Sequence, residues 1–104
     1  MPAKNLRIAP AESVLGPFGP LSAPFSPAGL WSEGPTAVKI GDEYQVYFEA
    51  YMKKHYCAMR SKDLKTWEDV TDKVQFLFEG TPERMKHGTV TAVPRALIDR
   101  LLQP

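Results

Sequence analysis

One carboxylate stands where two dissimilar parts of the sequence meet. Glu33 follows a proline-rich first third and precedes a series of strand-like segments. The next two residues restrict the backbone, because Gly34 allows dihedral angles that other residues avoid and Pro35 fixes its own φ. Together these residues can hold one acidic side chain at the mouth of a strand. The alternative is an exposed glutamate in a turn, since Glu is mostly exposed and Gly-Pro mostly marks loops.

The bulk composition narrows the class of protein. The chain has 104 residues, enough for one small domain. Its formal net charge of +1 gives no electrostatic reason to expect binding to nucleic acid or to an anionic membrane. It contains no apolar run near the roughly 20 residues of a membrane span, and its start lacks the apolar core of a signal peptide. A cytoplasmic location is therefore the default expectation, although localisation stays open. Cys57 is the single cysteine, and we expect it to serve in packing.

The prolines divide the chain into two regions. Seven of the ten lie within residues 1–35, which excludes a helix bundle or a regular sheet core there. This region also carries Phe18, Phe25 and Trp31, and it is too apolar for a typical disordered tail. We therefore predict an extended arm over residues 1–35 that packs on the sheets formed by residues 36–104.

Strand patterns dominate the second region. We predict strands at 36–40, 43–51, 55–61 and 67–70, with Gly41 and Asp42 forming a two-residue hairpin turn. A four-stranded antiparallel meander of this kind is the make-up of one propeller blade. Further strands are predicted at 74–78 and 87–93 and, more weakly, at 4–9, and a short helix with an apolar stripe follows Pro94. The fold prediction is all-β, with about two blade-like sheets and a C-terminal helix.

Three motifs in order resemble the C-terminal part of glycoside hydrolase family 43. They are Glu33-Gly34-Pro35-Thr36, the run from Ser61-Lys62-Asp63 to Trp67-Glu68-Asp69, and His87-Gly88-Thr89-Val90. That family comprises five-bladed β-propeller arabinosidases, xylosidases, arabinanases and galactosidases. The resemblance covers roughly residues 5–95 and implies a carbohydrate substrate.

The resemblance also implies roles for individual residues. Glu33 matches the family's general acid, which donates a proton to the leaving oxygen. His87 matches a histidine near the central channel, where a divalent metal or water site lies; the alternative is a hydrogen-bonded structural histidine. Arg60 matches a basic residue near the active-site carboxylates, or else forms a surface ion pair. Trp31 is either a platform for stacking sugars or a structural anchor. No cofactor is expected apart from that metal.

The chain also departs from the family's pattern. A propeller blade takes about 40–50 residues, so this chain has room for about two of the five. The family's catalytic aspartates lie in N-terminal blades that are absent here. Exposed apolar faces and open sheet edges predict a homo-oligomer, or a complex with a chain that supplies the missing blades.

Three functions remain open on the sequence alone. The chain is either a glycosidase whose base comes from another chain, or a non-catalytic propeller fragment that self-assembles and binds carbohydrate. The turn from Ser61 to Trp67 also suits a sialidase-type propeller hairpin, but the sequence lacks the arginine cluster that a carboxylate sugar needs.

Overall fold

The fold is built on one four-stranded antiparallel sheet. The computed structural model describes residues 4–53, 55–74 and 88–103. The strands are β1 (Glu33–Ile40), β2 (Glu43–Ala50), β3 (His55–Ser61) and β4 (Glu68–Asp69), and they lie side by side in that order. A single 3₁₀ turn at Thr71–Lys73 follows β4, and one helix, α1 (Arg95–Leu101), lies near the C-terminus. The prediction of an antiparallel meander with a short C-terminal helix is confirmed at this level.

The β1–β2 hairpin forms where the turn chemistry predicts it. Ile40 pairs with Glu43 across the two residues Gly41 and Asp42. Gly41 has a φ of +62°, a conformation that side chains with a Cβ rarely adopt. β2 then pairs with β3 from Tyr44–Ser61 through Ala50–His55 without a break in register. Because successive side chains alternate between faces, this register decides which residues of the two central strands share a surface.

The inner face of the sheet carries the hydrophobic core. Phe48 is fully buried, and it lies with Val46, Cys57 and Met59 on the face that packs against Leu6. Partly buried side chains from the proline-rich region complete the cluster, since Phe25 stacks on Trp67 with ring centroids 4.2 Å apart. Residues of the first region therefore cover this face of the sheet.

Residues 4–9 do not form the strand that the sequence predicts. Leu6 N–H donates to the Ser26 hydroxyl at 3.0 Å, and Ile8 N–H donates to the Ser22 hydroxyl at 2.9 Å. In return, Ser22 N–H donates to the Ile8 carbonyl and Phe25 N–H to the Leu6 carbonyl. Serine side chains thus accept where a backbone carbonyl would accept in a regular ladder, and that replacement explains why the prediction of a strand is wrong.

The prediction of a strand at 87–93 is also wrong for residues 88–93, the part that the structure describes. Residues 88–93 have no regular secondary structure. Their β-branched residues favour a strand, but this preference depends on a neighbouring strand to pair with. Val90 N–H donates to the Thr36 side-chain hydroxyl at 3.1 Å, a contact that builds no ladder. The strand predicted at 74–78 lies outside the described residues except for Val74, which follows the 3₁₀ turn.

Candidate functional site

Glu33 is placed at the first position of β1 by an irregularity in the strand. It pairs with Glu49, whereas Thr36 pairs with Tyr47, so β1 contains one residue more than β2 over this interval. Gly34 lies in that interval with a φ of +64°, in the left-handed region that favours glycine. This is the geometry of a β-bulge, which bends a strand and re-aims a side chain. The Glu-Gly-Pro sequence therefore sets the position of the carboxylate.

A second carboxylate lies beside Glu33 on the outer face of the sheet. Glu49 on β2 pairs with Glu33 on one side and with Tyr56 on the other, so the three residues form one cross-strand row. Opposed residues in an antiparallel pair have α-carbons about 4.5–5.5 Å apart and project to the same face. Glu49 is only 5% exposed and Tyr56 only 3%, although both lie opposite the hydrophobic core. The row is therefore enclosed at its centre and open at Glu33.

The burial of Glu49 has a signal in the sequence. Glu49 lies between Tyr47 and Tyr51 on one face of its strand and Phe48 lies on the other, so both faces carry large aromatic groups. A glutamate at such a position is buried, and buried carboxylates are rare unless their polar atoms are engaged. The register with β1, which the bulge shifts, is what brings it beside Glu33.

A cation and two aromatic rings border the open end of this row. Lys4 Nζ lies 3.5 Å from the Glu33 carboxylate and 4.8 Å from the centroid of the Tyr51 ring. Hydrogen bonding to the Tyr51 hydroxyl raises the pKa of Lys4, and the Glu33 charge adds to that effect. Trp31 is half-buried, and its ring lies 6.4 Å from the Tyr51 ring at an angle of 57°. We refer to Lys4, Trp31, Glu33 and Tyr51 as the Glu33 cluster.

Tyr56 connects the row to the segment that follows residue 87. Burial is the main cause that raises the pKa of the Tyr56 hydroxyl; a hydrogen bond with the Gly88 backbone opposes it, and the Glu49 charge reinforces it. A Cβ at position 88 would lie 3.7 Å from the Tyr56 hydroxyl oxygen, an ordinary contact distance. Residues 88–90 therefore cross the outer face near the row. His87, the predicted channel histidine, lies outside the described residues.

The structure does not bring Arg60 together with Glu33. Arg60 pairs in register with Gln45 and Glu68, four residues along β2 from the Glu33 row and two strands from β1. Standard strand dimensions put the two α-carbons about 14 Å apart along the strands and about 10 Å apart across them. The Arg60 guanidinium instead forms an ion pair with Glu68 at 2.7 Å, and its hydrogen bond holds the pKa of that carboxyl below its ordinary value.

Cavities lie at both ends of the sheet. One of 250 Å³ borders the Glu33 cluster and is lined by Trp31, with Leu30, Met52 and Lys53 among its neighbours. A larger one of 470 Å³ lies beside Arg60, Asp63 and Trp67. The polar groups of the larger cavity are engaged within the chain, because Asp63 accepts hydrogen bonds from the Lys65 and Thr66 amides and Arg60 donates to Glu68. We therefore take the Glu33 cluster as the candidate site.

The described residues contain neither a metal-binding group nor a membrane-spanning helix. Among residues 4–53, 55–74 and 88–103, no three side chains of His, Cys, Asp or Glu come together to hold a metal ion. Within the same ranges, no helix has the length and apolar character to cross a membrane. The metal site that the family resemblance implies depends on His87 and is not tested by these residues.

Trp67 and the turn before it have a structural position. Ser61 Oγ accepts the Leu64 amide at 2.8 Å, and Asp63 Oδ1 accepts the Thr66 amide at the same distance, so the side chains hold a tight turn. Trp67 follows and stacks on Phe25.

Comparison of the chain with protein-family models, curated proteins and solved structures finds no match.

Proposed function

We propose that this chain is a glycoside hydrolase-like protein, related to arabinosidases and xylosidases, and that its carbohydrate site is the Glu33 cluster. One observation carries the proposal: the bulge in β1 sets the position of Glu33, whose carboxylate lies 3.5 Å from Lys4 Nζ, and Lys4 Nζ in turn lies 4.8 Å from the centroid of the Tyr51 ring, 6.4 Å from which lies the Trp31 ring. Aromatic rings supply apolar contact area for a sugar ring, while carboxylate and ammonium groups bind its hydroxyls. The sheet is a four-stranded antiparallel meander, and we propose that it is one propeller blade.

In this proposal Glu33 donates a proton to the glycosidic oxygen as the bond to the leaving group breaks. An inverting glycosidase then needs a second carboxylate that activates water on the opposite face of the sugar, about 6.5–9.5 Å from the acid. Glu49 does not fit that role, because it projects to the same face of the sheet as Glu33 and is almost fully buried. We propose that the base comes from another chain.

The ion pair between Lys4 and Glu33 favours a second candidate function, carbohydrate binding without turnover. In this arrangement the Glu33 carboxylate accepts from the Lys4 ammonium at 3.5 Å, whereas a general acid must donate. The side chains of both residues are partly exposed, so the pair itself contributes little to stability and is free to exchange for sugar hydroxyls. This candidate uses the same cluster and needs no base.

Hydrolysis of aryl arabinosides, xylosides and galactosides tests the first candidate. Glu33→Gln keeps the size of the side chain and removes its acid, and we expect turnover to fall about 10²–10⁴-fold. Glu12→Gln is the matched control, since Glu12 is exposed in the proline-rich region and outside the cluster. Sugar binding without turnover, weakened by Glu33→Gln alone, supports the second candidate. If the protein neither hydrolyses nor binds these sugars, both candidate functions are refuted.

A further inference from the structure

The cavity of 250 Å³ lies between two tight turns of the chain. In the first turn, Leu30 N–H donates to the Pro27 carbonyl at 3.2 Å, and Gly29 at the third position has a φ of +76°, the conformation that a type II turn requires there. In the second turn, Lys53 N–H donates to the Ala50 carbonyl at 3.0 Å. Because each turn is closed by its own hydrogen bond, two walls of the cavity are held in place.

The cavity and the Glu33 cluster share a surface. Trp31 lines the cavity and belongs to the cluster, and its ring lies 6.4 Å from the Tyr51 ring. Tyr51 itself lies in the second turn, two residues before Lys53. A sugar ring against Trp31 therefore meets residues of the cluster and residues of the cavity together.

The lining of this cavity is apolar except for one charge. Leu30, Trp31 and Met52 supply aliphatic, aromatic and thioether surface, and Lys53 is the only charged residue among the described residues that line it. The volume lies just below the about 300–1,000 Å³ of pockets that hold drug-sized ligands, so it suits a single sugar residue.

The Lys53 ammonium has no partner in the part of the chain that the structure describes. The other lysine of the site, Lys4, is already paired with Glu33, so the Glu33 charge is compensated. Asp69 lines the neighbouring cavity and accepts hydrogen bonds from the Thr71 amide and hydroxyl at 3.0 and 2.7 Å. Lys53 is therefore the cation of this site that is available to a ligand.

An available ammonium beside a stacking ring favours a carboxylate on the sugar. Lysine pairs with a carboxylate as a point charge, without the bidentate geometry that arginine supplies. Lys53 is also exposed, so the pair is weak and is screened by salt. The expected preference is thus modest, in contrast to the recognition that an arginine cluster gives.

We propose that the site takes a sugar residue that carries a carboxylate, a uronosyl residue, with its ring against Trp31 and its carboxylate paired with Lys53. The inference rests on the proposed carbohydrate site and names the class of sugar that this site prefers. It involves no bond cleavage, so it applies to hydrolysis and to binding without turnover alike.

A titration with three glycosides of the same ring configuration tests this preference. They are methyl β-D-glucuronopyranoside, its uncharged methyl ester, and methyl β-D-xylopyranoside, which lacks the carboxyl carbon. The shift of the Trp31 indole N–H resonance gives a dissociation constant for each. At low salt we expect the glucuronoside to bind about two- to fivefold more tightly than its ester, as an exposed ion pair allows. The difference should shrink in about 0.5 M NaCl.

Two lysine variants assign the preference to one side chain. Lys53→Gln should remove the difference between glucuronoside and ester. Lys65→Gln is the matched control, because Lys65 is also an exposed lysine but lies in the turn before β4, and it should leave the difference intact. An unchanged Trp67 indole resonance shows that each variant keeps its fold.

The outcomes separate this inference from the proposed function. If the glucuronoside and its ester bind wild type equally, or if both variants lose the preference alike, the inference is overturned while sugar binding stands. If none of the three glycosides shifts the Trp31 resonance, the inference falls together with the proposed function.

Discussion

Removal of the Ser26 hydroxyl should destabilise the protein more than removal of the Ser22 hydroxyl. Both hydroxyls accept a backbone amide from the first extended segment, Ser26 from Leu6 and Ser22 from Ile8, at nearly equal distances of 3.0 and 2.9 Å. The two pairs differ in burial, because Ser26 and Leu6 are both buried whereas Ser22 and Ile8 are half-buried. The comparison therefore isolates the effect of burying an amide without a partner.

The magnitude follows from what each alanine leaves behind. Ser26→Ala leaves the Leu6 amide buried without its acceptor, which costs about 1–3 kcal/mol in free energy of unfolding. After Ser22→Ala, water can reach the Ile8 amide, and we expect a loss below about 1 kcal/mol. With a urea m-value of about 2 kcal/mol/M, a loss of 2 kcal/mol lowers the unfolding midpoint by about 1 M.

Urea unfolding followed by tryptophan fluorescence measures both variants in one series. Trp67 reports on the relevant region because it stacks on Phe25, which lies next to Ser26 in the chain. The m-value should stay constant, so that midpoints compare stability directly. A Ser22→Ala midpoint as low as that of Ser26→Ala would refute the reasoning, since burial would then not set the cost.

Three further predictions concern the core, the turn before β4 and the far end of the sheet. Phe48→Ala should lower the free energy of unfolding by about 3–5 kcal/mol in urea, since the ring is fully buried, and a loss below 1 kcal/mol would contradict the described core. Hydrogen bonds from the Thr66 amide and then the Lys65 amide lower the pKa of Asp63, so its ionised carboxylate stabilises the fold above the unfolded pKa of about 3.8, and this stabilisation is lost as pH falls through the folded pKa. The difference in melting temperature between wild type and Asp63→Asn should therefore shrink below pH 4, and a difference that stays constant with pH would contradict the prediction. Arg60→Ala should leave sugar binding unchanged in calorimetry, because its guanidinium is engaged by Glu68 far from Glu33, and a loss of binding would place the site at the other end.

The central strands were predictable because their local signals agree with the final packing. The turn residues Gly41 and Asp42, together with alternation along β2, predict the β1–β2 hairpin, and the bounds predicted for β3 are those observed. Each of these features depends on residues close in sequence. The apolar side of β2 then follows from period-two alternation alone.

The rest of the arrangement depends on contacts between distant residues. Serine side chains at 22 and 26 replace a strand ladder for residues 4–9, and composition gives no sign of this. The pairing of Glu49 with Glu33 requires the one-residue shift in β1. Lys4 reaches the site only because the first segment folds back, as the Ser32 amide donating to the Lys4 carbonyl at 3.0 Å shows. Local patterns therefore predict the sheet better than they predict the site.

If sugar binds at the Glu33 cluster, the two tryptophans allow a direct test of that binding. Trp31 belongs to the cluster, whereas Trp67 stacks on Phe25 beside the core, and the chain contains no other tryptophan. The measurement is a titration of ¹⁵N-labelled protein with arabino- and xylo-oligosaccharides, followed through the two indole N–H resonances. We expect the Trp31 resonance to shift with saturation while that of Trp67 stays in place, and the shift to be lost in Glu33→Gln. A shift of Trp67 alone, or of neither resonance, would contradict the claim.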